Sequence, residues 1–133
     1  MAKTVITFGT FDVFHIGHLR ILERARALGD RLVVGVSSDH LNFKKKQKYP
    51  VFSEHDRRSI VSALACVDEV FSEESLEWKG KYISTYNADI LVMGDDWAGR
   101  FDEFKSLCEV IYLPRTENIS TTEILAAVRA TSA

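Results

Sequence analysis

Uninterrupted apolar runs constrain the fold of this chain more than any other feature of its sequence. Strands with one solvent-facing side alternate apolar and polar residues, whereas strands covered on both faces stay apolar throughout. We therefore predict a parallel sheet with both faces buried. Its five predicted strands lie at residues 4–8, 31–37, 67–71, 90–93 and 110–113, the third being the weakest.

Segments with helix signals separate these runs. Apolar residues recur at helical spacing before Gly29, which predicts a C-cap there. Ser53 and Ser120 each stand three residues before an acidic side chain, as N-caps do. The polar, lysine-rich segment 39–52 is predicted to be a loop. The predicted helices lie near residues 19–28, 53–64, 78–86, 101–107 and 120–128.

Alternating strands and helices indicate a Rossmann-like, doubly wound α/β fold with a five-stranded parallel sheet and right-handed crossovers. No linker, repeat or low-complexity segment interrupts residues 1–133, so one domain is expected. Sheets of this kind bind ligands beyond the carboxyl ends of the strands, where the strand order reverses. Chemistry is therefore expected in the loops that follow the strands.

Composition argues against several classes of function. The 133 residues carry a formal net charge of −2, without the basic excess of nucleic-acid-binding proteins, and no apolar run is long enough to span a membrane. Cys66 and Cys108 stand singly in apolar stretches, which predicts buried free thiols in a reducing compartment. The N-terminal residues lack a signal-peptide pattern, so we expect a cytoplasmic protein.

The loop after the first strand carries two histidines three residues apart, in the segment Gly-Thr-Phe-Asp-Val-Phe-His-Ile-Gly-His. If His18 opens the next helix, both imidazoles lie beside free backbone N–H groups, and Gly17 lets the backbone approach a ligand. His15 and His18 can then donate protons or hydrogen bonds to phosphate oxygens. The alternatives are a capping histidine beside a surface histidine, or metal ligation, for which no third ligand stands at suitable spacing.

A second anion site is predicted after the fifth strand. Arg115 offers a planar fork of donors that suits phosphate, and Thr116 follows it. The hydroxyls of Ser120, Thr121 and Thr122 stand at the start of the last helix, beside its free N–H groups. An ordinary helix cap at Ser120 is the simpler interpretation, but it gives Arg115 and Thr116 no role.

Two further clusters follow other strands. The segment 44–48 contains four lysines, usually the mark of a solvated face, but it lies on the side where ligands are expected. Asp95 and Asp96 follow the fourth strand, and Asp12 precedes the histidines. These carboxylates can hold loop geometry, orient a lysine, or bind substrate hydroxyls or Mg²⁺. Trp97 packs over either a ligand or the core.

Together these segments resemble the bacterial glycerol-3-phosphate cytidylyltransferase family within the His-x-Gly-His nucleotidyltransferase superfamily. The likeness includes His-Ile-Gly-His, Gly-Asp-Asp-Trp at 94–97 and Arg-Thr-Glu-Asn-Ile-Ser-Thr-Thr at 115–122, and it covers nearly the whole chain in order. It implies an enzyme that transfers CMP from CTP to sn-glycerol 3-phosphate, with Mg²⁺ as cofactor and pyrophosphate as the second product. It also implies a homodimer that supplies CDP-glycerol to teichoic acid or capsule synthesis.

The resemblance also implies roles for individual residues. The catalytic group comprises His15, His18, Lys46 and Arg115. The nucleotide is held by Thr10, Phe11, Gly17, Lys48, Asp96, Arg115, Thr116, Ser120, Thr121 and Thr122. The acceptor phosphate is held by Lys45, Lys46 and Lys79, although a surface lysine is an equally good interpretation of Lys79.

The register of the lysine segment stays open. Counted forward from Asn42, the two lysines of the family fall on Lys45 and Gln47, whereas counted backward from the next helix they fall on Lys46 and Lys48. We prefer the second alignment, since it keeps both charges.

Two positions depart from the family pattern. Asn118 replaces a glycine, and we expect the loop to keep its shape because asparagine tolerates a left-handed backbone. Ala65 replaces an arginine that the family links with the subunit interface and the active site, so both can differ here.

Alternative functions are another phosphorylated alcohol or sugar as acceptor, ATP in place of CTP, a catalytically silent nucleotide-binding module, and a flavodoxin-like electron carrier. The anion-binding clusters have no purpose in a silent module, and the histidine pair has none in an electron carrier.

Overall fold

The computed structural model describes residues 2–117 and 119–131, and within them five strands form one parallel sheet. The spatial order is β3-β2-β1-β4-β5, so the direction of winding reverses between β1 and β4. This confirms the predicted doubly wound α/β sheet. The strands are β1 (Thr4–Gly9), β2 (Arg31–Ser37), β3 (Glu69–Glu73), β4 (Ile90–Gly94) and β5 (Glu109–Leu113).

Helices cover both faces of the sheet. Leu22 of the first helix and Val61 of the third pack into one apolar cluster with Val34, while Ile83 of the fourth helix packs with Phe8 in the other. The two clusters explain why the strands are apolar throughout. No helix among the described residues is long and apolar enough to cross a membrane. The α-helices are α1 (Ile16–Ala27), α2 (Asp39–Lys46), α3 (Glu54–Ser62), α4 (Lys79–Thr85) and α5 (Thr121–Thr131).

The lysine-rich segment is where the sequence prediction was wrong, since residues 39–46 form helix α2 rather than a loop. The Ser38 hydroxyl caps this helix by accepting a hydrogen bond from the Leu41 N–H, and Gln47 ends it with a left-handed backbone at φ 58°. Its buried residues are Leu41 and Asn42. A helix with so small an apolar face has no periodicity to detect.

Smaller corrections concern element boundaries. Helix α1 begins at Ile16 rather than His18, and Leu28, not Gly29, is its C-cap. The third strand lies two residues later than predicted. The predicted helices at 78–86 and 101–107 become α4 after a 3₁₀ turn at Leu76–Trp78, and a 3₁₀ turn at Asp102–Ser106.

The cysteines are free, as predicted, but both Cys66 and Cys108 are half-buried rather than buried. Burial raises the pKa of each thiol, so both stay protonated near neutral pH.

Candidate functional site

A cleft of about 620 Å³ opens at the carboxyl ends of β1 and β4, where the strand order reverses. This is where a doubly wound sheet is expected to bind ligands. The cleft is lined by both predicted anion clusters and by part of the lysine segment. The sequence-predicted residues at its wall are Thr10, Phe11, Gly17, His15, His18, Lys46, Lys48, Asp96, Trp97, Arg115, Thr116, Ser120, Thr121 and Thr122.

The loop between β1 and α1 has an unusual backbone. Phe11 and Val13 adopt positive φ angles of 55° and 47°, which non-glycine residues rarely do. The Asp12 carboxylate holds the loop in place by accepting the backbone N–H groups of Val13, Val51 and Phe52 at 2.7–3.0 Å. Such strain persists only where surrounding contacts fix it, and it concentrates at functional sites.

The two histidines cap helix α1 for each other. His15 Nδ1 accepts the Gly17 N–H at 3.0 Å, and His18 Nδ1 accepts the His15 N–H at 3.2 Å. The rings stack with centroids 3.8 Å apart. Because each Nδ1 is an acceptor, the proton of each neutral imidazole lies on Nε2. The pair therefore presents two Nε2–H donors.

Both histidines are neutral at physiological pH. Burial is the main cause for His18, and together with His15 and Arg115 it outweighs the nearby Asp12 carboxylate, lowering the pKa of His18 to about 4. Burial and Arg115 also lower the pKa of His15. The charge at this end of the cleft comes from its lysines and arginines, while the imidazoles supply oriented N–H groups.

Gly17 makes room for the histidine ring. A Cβ at Gly17 would lie 2.8 Å from His15 Cε1 and 3.1 Å from Ile119 Cγ2. The space that the sequence analysis reserved for a ligand is therefore partly filled by these two side chains. Glycine is required here for close packing of the catalytic loop.

The second cluster faces the first across the cleft. Arg115 Nη1 lies 4.0 Å from Asp96 Oδ2 with both side chains about half exposed, so this ion pair is weak. The Thr121 hydroxyl donates to the Asp12 carbonyl at 2.9 Å, which joins α5 to the histidine loop. Ser120 Oγ accepts the Glu123 N–H at 3.1 Å, as predicted for a cap. The expectation for Asn118 lies outside the described residues.

The predicted lysines divide into two groups. Lys46 and Lys48 line the cleft, as the preferred register requires, whereas Lys45 and Lys79 do not. Lys79 is not a surface lysine: its side chain is 3% exposed, and its Nζ lies 2.6 Å from Glu73 Oε2. The structure therefore places this lysine in a buried ion pair behind the wall of the cleft.

The sequence analysis missed two polar residues that hold the site together. Arg57 is fully buried and donates to the carbonyls of Thr10, Ser37 and Phe52 at 2.7–3.0 Å. Asn42 is also buried, and its Oδ1 accepts the Thr10 hydroxyl at 3.1 Å. Arg57 stands four residues before Val61, at the spacing of the buried face of α3, and this signal could have identified it. Asn42 gave no comparable signal.

Trp97 contributes to the cleft rather than to the core. It is 41% exposed, and its ring contacts Phe101 at 5.7 Å between centroids and Arg100 at 5.6 Å. Among the described residues, no group of three metal-ligating side chains comes together.

Comparisons with known proteins agree with this geometry. Residues 6–127 match the cytidylyltransferase-like family. The chain is 52% identical over 122 residues to the glycerol-3-phosphate cytidylyltransferase of Bacillus subtilis, covering 92% of this chain and 94% of that protein. It is 44% identical over 123 residues to the Staphylococcus aureus enzyme of the same name, with 92% of each covered.

A solved structure shares the fold. The lipopolysaccharide core biosynthesis protein of Thermoplasma volcanium superposes with a TM-score of 0.74 at 23% identity, covering 88% of this chain and all of that one. The match to the family and the two relatives confirm the resemblance found in the sequence. The chain therefore belongs to the cytidylyltransferase-like family and, within it, is a relative of the bacterial glycerol-3-phosphate cytidylyltransferases.

Proposed function

We propose that this protein transfers CMP from CTP to sn-glycerol 3-phosphate, giving CDP-glycerol and pyrophosphate. The observation that carries the proposal is the single cleft that brings the histidine pair, Arg115 and the lysine segment together. The reaction must hold two phosphorylated substrates against their mutual repulsion, and two facing groups of anion-binding side chains suit that task. The relatives named above supply the identity of the substrates.

The acceptor phosphate is the nucleophile. One of its oxygens attacks the α-phosphorus of CTP in line, the new P–O bond forms, and the bond to the β-phosphate oxygen breaks to release pyrophosphate. A phosphate monoester has a second pKa of about 6, so it is already ionised near neutral pH. The protein therefore needs no nucleophile or strong base, and its work is positioning and charge stabilisation.

Each cluster has its own role in this scheme. His15 and His18 donate Nε2–H bonds to the triphosphate oxygens where charge builds up, while Lys46 and Arg115 supply positive charge. Backbone groups of Thr10 and Phe11 contact the nucleotide, as do Gly17, Lys48, Asp96, Thr116, Ser120, Thr121 and Thr122. The acceptor phosphate lies nearer Lys45, Lys46 and Lys79.

Magnesium fits this cleft as an ion that arrives with CTP. Mg²⁺ binds through substrate phosphates and one or two carboxylates. Asp12 spends its carboxylate on three backbone N–H groups, whereas Asp96 has only the weak contact with Arg115. Asp96 would hold the ion, which neutralises charge on the triphosphate and on the leaving pyrophosphate.

We also propose a cytoplasmic homodimer that supplies CDP-glycerol to teichoic acid or capsule polymers, on the strength of the family resemblance. Ala65, in place of the family arginine, is exposed in the turn after α3. Sedimentation should give twice the chain mass of 15.1 kDa. A species of 15.1 kDa at micromolar concentration would contradict the dimer.

The decisive experiment measures pyrophosphate release with Mg²⁺, CTP and a panel of phosphorylated alcohols and sugars, and repeats it with ATP. We expect release only with CTP and glycerol 3-phosphate together. Release with another acceptor or with ATP would keep the chemistry and change the substrate. Tight CTP binding without release from any pair would indicate a silent nucleotide-binding module.

A further inference from the structure

A buried ion pair beside the cleft has no role in the chemistry described so far. Glu73 ends β3 and is 2% exposed, and Lys79 begins α4 and is 3% exposed. Their carboxylate oxygen and ammonium nitrogen lie 2.6 Å apart. Apolar residues can replace such a pair with little loss of stability, because both ions must give up their hydration. Folding alone therefore does not account for it.

The pair lies against the wall of the cleft. Lys79 Nζ sits 3.8 Å from the centroid of the Phe8 ring, and Phe8 also lines the cleft. The Glu73 carbonyl accepts the N–H of Ser38, the N-cap of the lysine helix α2, at 2.9 Å. Glu73 therefore connects three elements: the end of β3, the start of α2 and the first turn of α4.

A second lysine interacts with the same carboxylate. Burial lowers the pKa of Lys45, Glu73 opposes this change, and Lys46 and Lys79 add to it through repulsion. Lys45 and Lys79 thus share one carboxylate as their counter-ion. Two ammonium groups and one carboxylate leave a net positive charge behind Phe8, next to the Lys46 side of the cleft. An anion placed there would complete the balance.

We propose that Glu73 is a positioning residue for the acceptor phosphate. Its buried carboxylate fixes the Lys79 ammonium against Phe8 and draws Lys45 toward the same wall. This holds the positive charge at the acceptor side of the cleft and away from the nucleotide. The inference rests on the proposed function, since it assigns the phosphate monoester to this side.

Steady-state kinetics of Glu73→Gln test the proposal, with Glu74→Gln as the matched control because Glu74 is the exposed neighbour. The amide keeps the shape of the side chain and removes its charge. We expect the KM for glycerol 3-phosphate to rise about tenfold or more, the loss of a charged hydrogen bond, with the KM for CTP changed less than about twofold. The control should match the wild-type protein in both constants.

Other results would overturn the proposal. A lower KM for the acceptor would mean that Glu73 competes with the phosphate as an anion. Equal changes in both KM values together with a lower melting temperature would mean a structural role only. No difference between Glu73→Gln and Glu74→Gln would mean that Glu73 has no effect on the acceptor.

A second variant covers the case in which Glu73→Gln does not fold. Glu73→Asp keeps the charge and shortens the side chain by one methylene, so the ion pair survives with its ammonium displaced. We expect the same selective rise in the acceptor KM, smaller than for Gln. A wild-type protein that is inactive with glycerol 3-phosphate would contradict the proposed function instead, and the variants would then be compared on the phosphorylated acceptor that it does use.

Discussion

At the scale of single residues, the histidine pair depends on two backbone N–H groups. Each Nδ1 accepts one of them, so the start of α1 is capped by the same side chains that face the cleft. Capping is worth about 1 kcal/mol, far less than the contribution that a donor makes to a charged transition state. A substitution can therefore separate the two functions.

We predict that His18→Asn retains the fold and loses activity. The Asn Oδ1 can replace Nδ1 as acceptor of the His15 N–H, but nothing replaces the Nε2–H donor. Turnover should fall about 10²- to 10³-fold, as when an oriented donor is removed, with the melting temperature within a few degrees of wild type. His55→Asn on exposed α3 is the control and should keep full turnover. Wild-type turnover in His18→Asn would exclude the proposed role.

The lowered pKa of His18 predicts a pH dependence of stability. Its pKa is about 4 in the folded protein and 6.5 in an unfolded chain, so between these values the unfolded state binds more protons. The His18 contribution is therefore complete above pH 6.5 and is lost as the pH falls toward 4. Urea unfolding from pH 7 to pH 4 should show the stability gap between the wild-type protein and His18→Asn shifting against the wild type. NMR titration gives the second check, and a His18 midpoint near 6.5 would contradict the prediction.

At the scale of elements, the sequence predicted the strands better than the helix that carries the lysines. Strands buried on both faces are apolar without interruption, and that pattern is visible in any window. Helix α2 depends on contacts made far along the chain, since its start is tied to Glu54 and Arg57 of α3 through Asp39. No local pattern encodes such contacts.

We predict that Arg57→Met disrupts both the fold and the site. Arg57 donates to three carbonyls and pairs with Asp39 at 2.7 Å, and its loss leaves these acceptors unsatisfied. The free energy of unfolding should fall by about 3–5 kcal/mol in denaturant titrations. Arg58→Met is the control because its side chain is exposed, and it should change stability by about 0.5 kcal/mol or less. Similar stabilities for the two variants would show that the Arg57 network is unimportant.

At the scale of the whole molecule, the site was predictable because the fold dictates where loops meet. Two clusters 100 residues apart in sequence converge since both follow strands whose carboxyl ends share one edge of the sheet. The same logic fails for Lys79, because its burial depends on Glu73 and Phe8, which only the packed structure brings to it.

Charge is also distributed unevenly over the molecule. The chain as a whole carries a formal charge of −2. Within the described residues, the cleft is lined by two carboxylates and four cationic side chains: Lys46, Lys48, Arg115 and Arg129. An acidic molecule with a positive cleft attracts a nucleoside triphosphate selectively at that edge, and salt screens the attraction.

We therefore predict that kcat/KM for CTP falls steeply as KCl rises from about 0.1 M to 1 M at constant free Mg²⁺, because the screening length shrinks from about 10 Å to about 3 Å. The kcat at saturating CTP should change less, since the bound substrate is partly shielded from solvent. Lys48→Gln should flatten the salt dependence by removing one lining charge, whereas Lys44→Gln, outside the lining, should leave it nearly unchanged. Equal slopes for the two variants would mean that CTP responds to the overall charge of the segment, not to the charges that face the cleft.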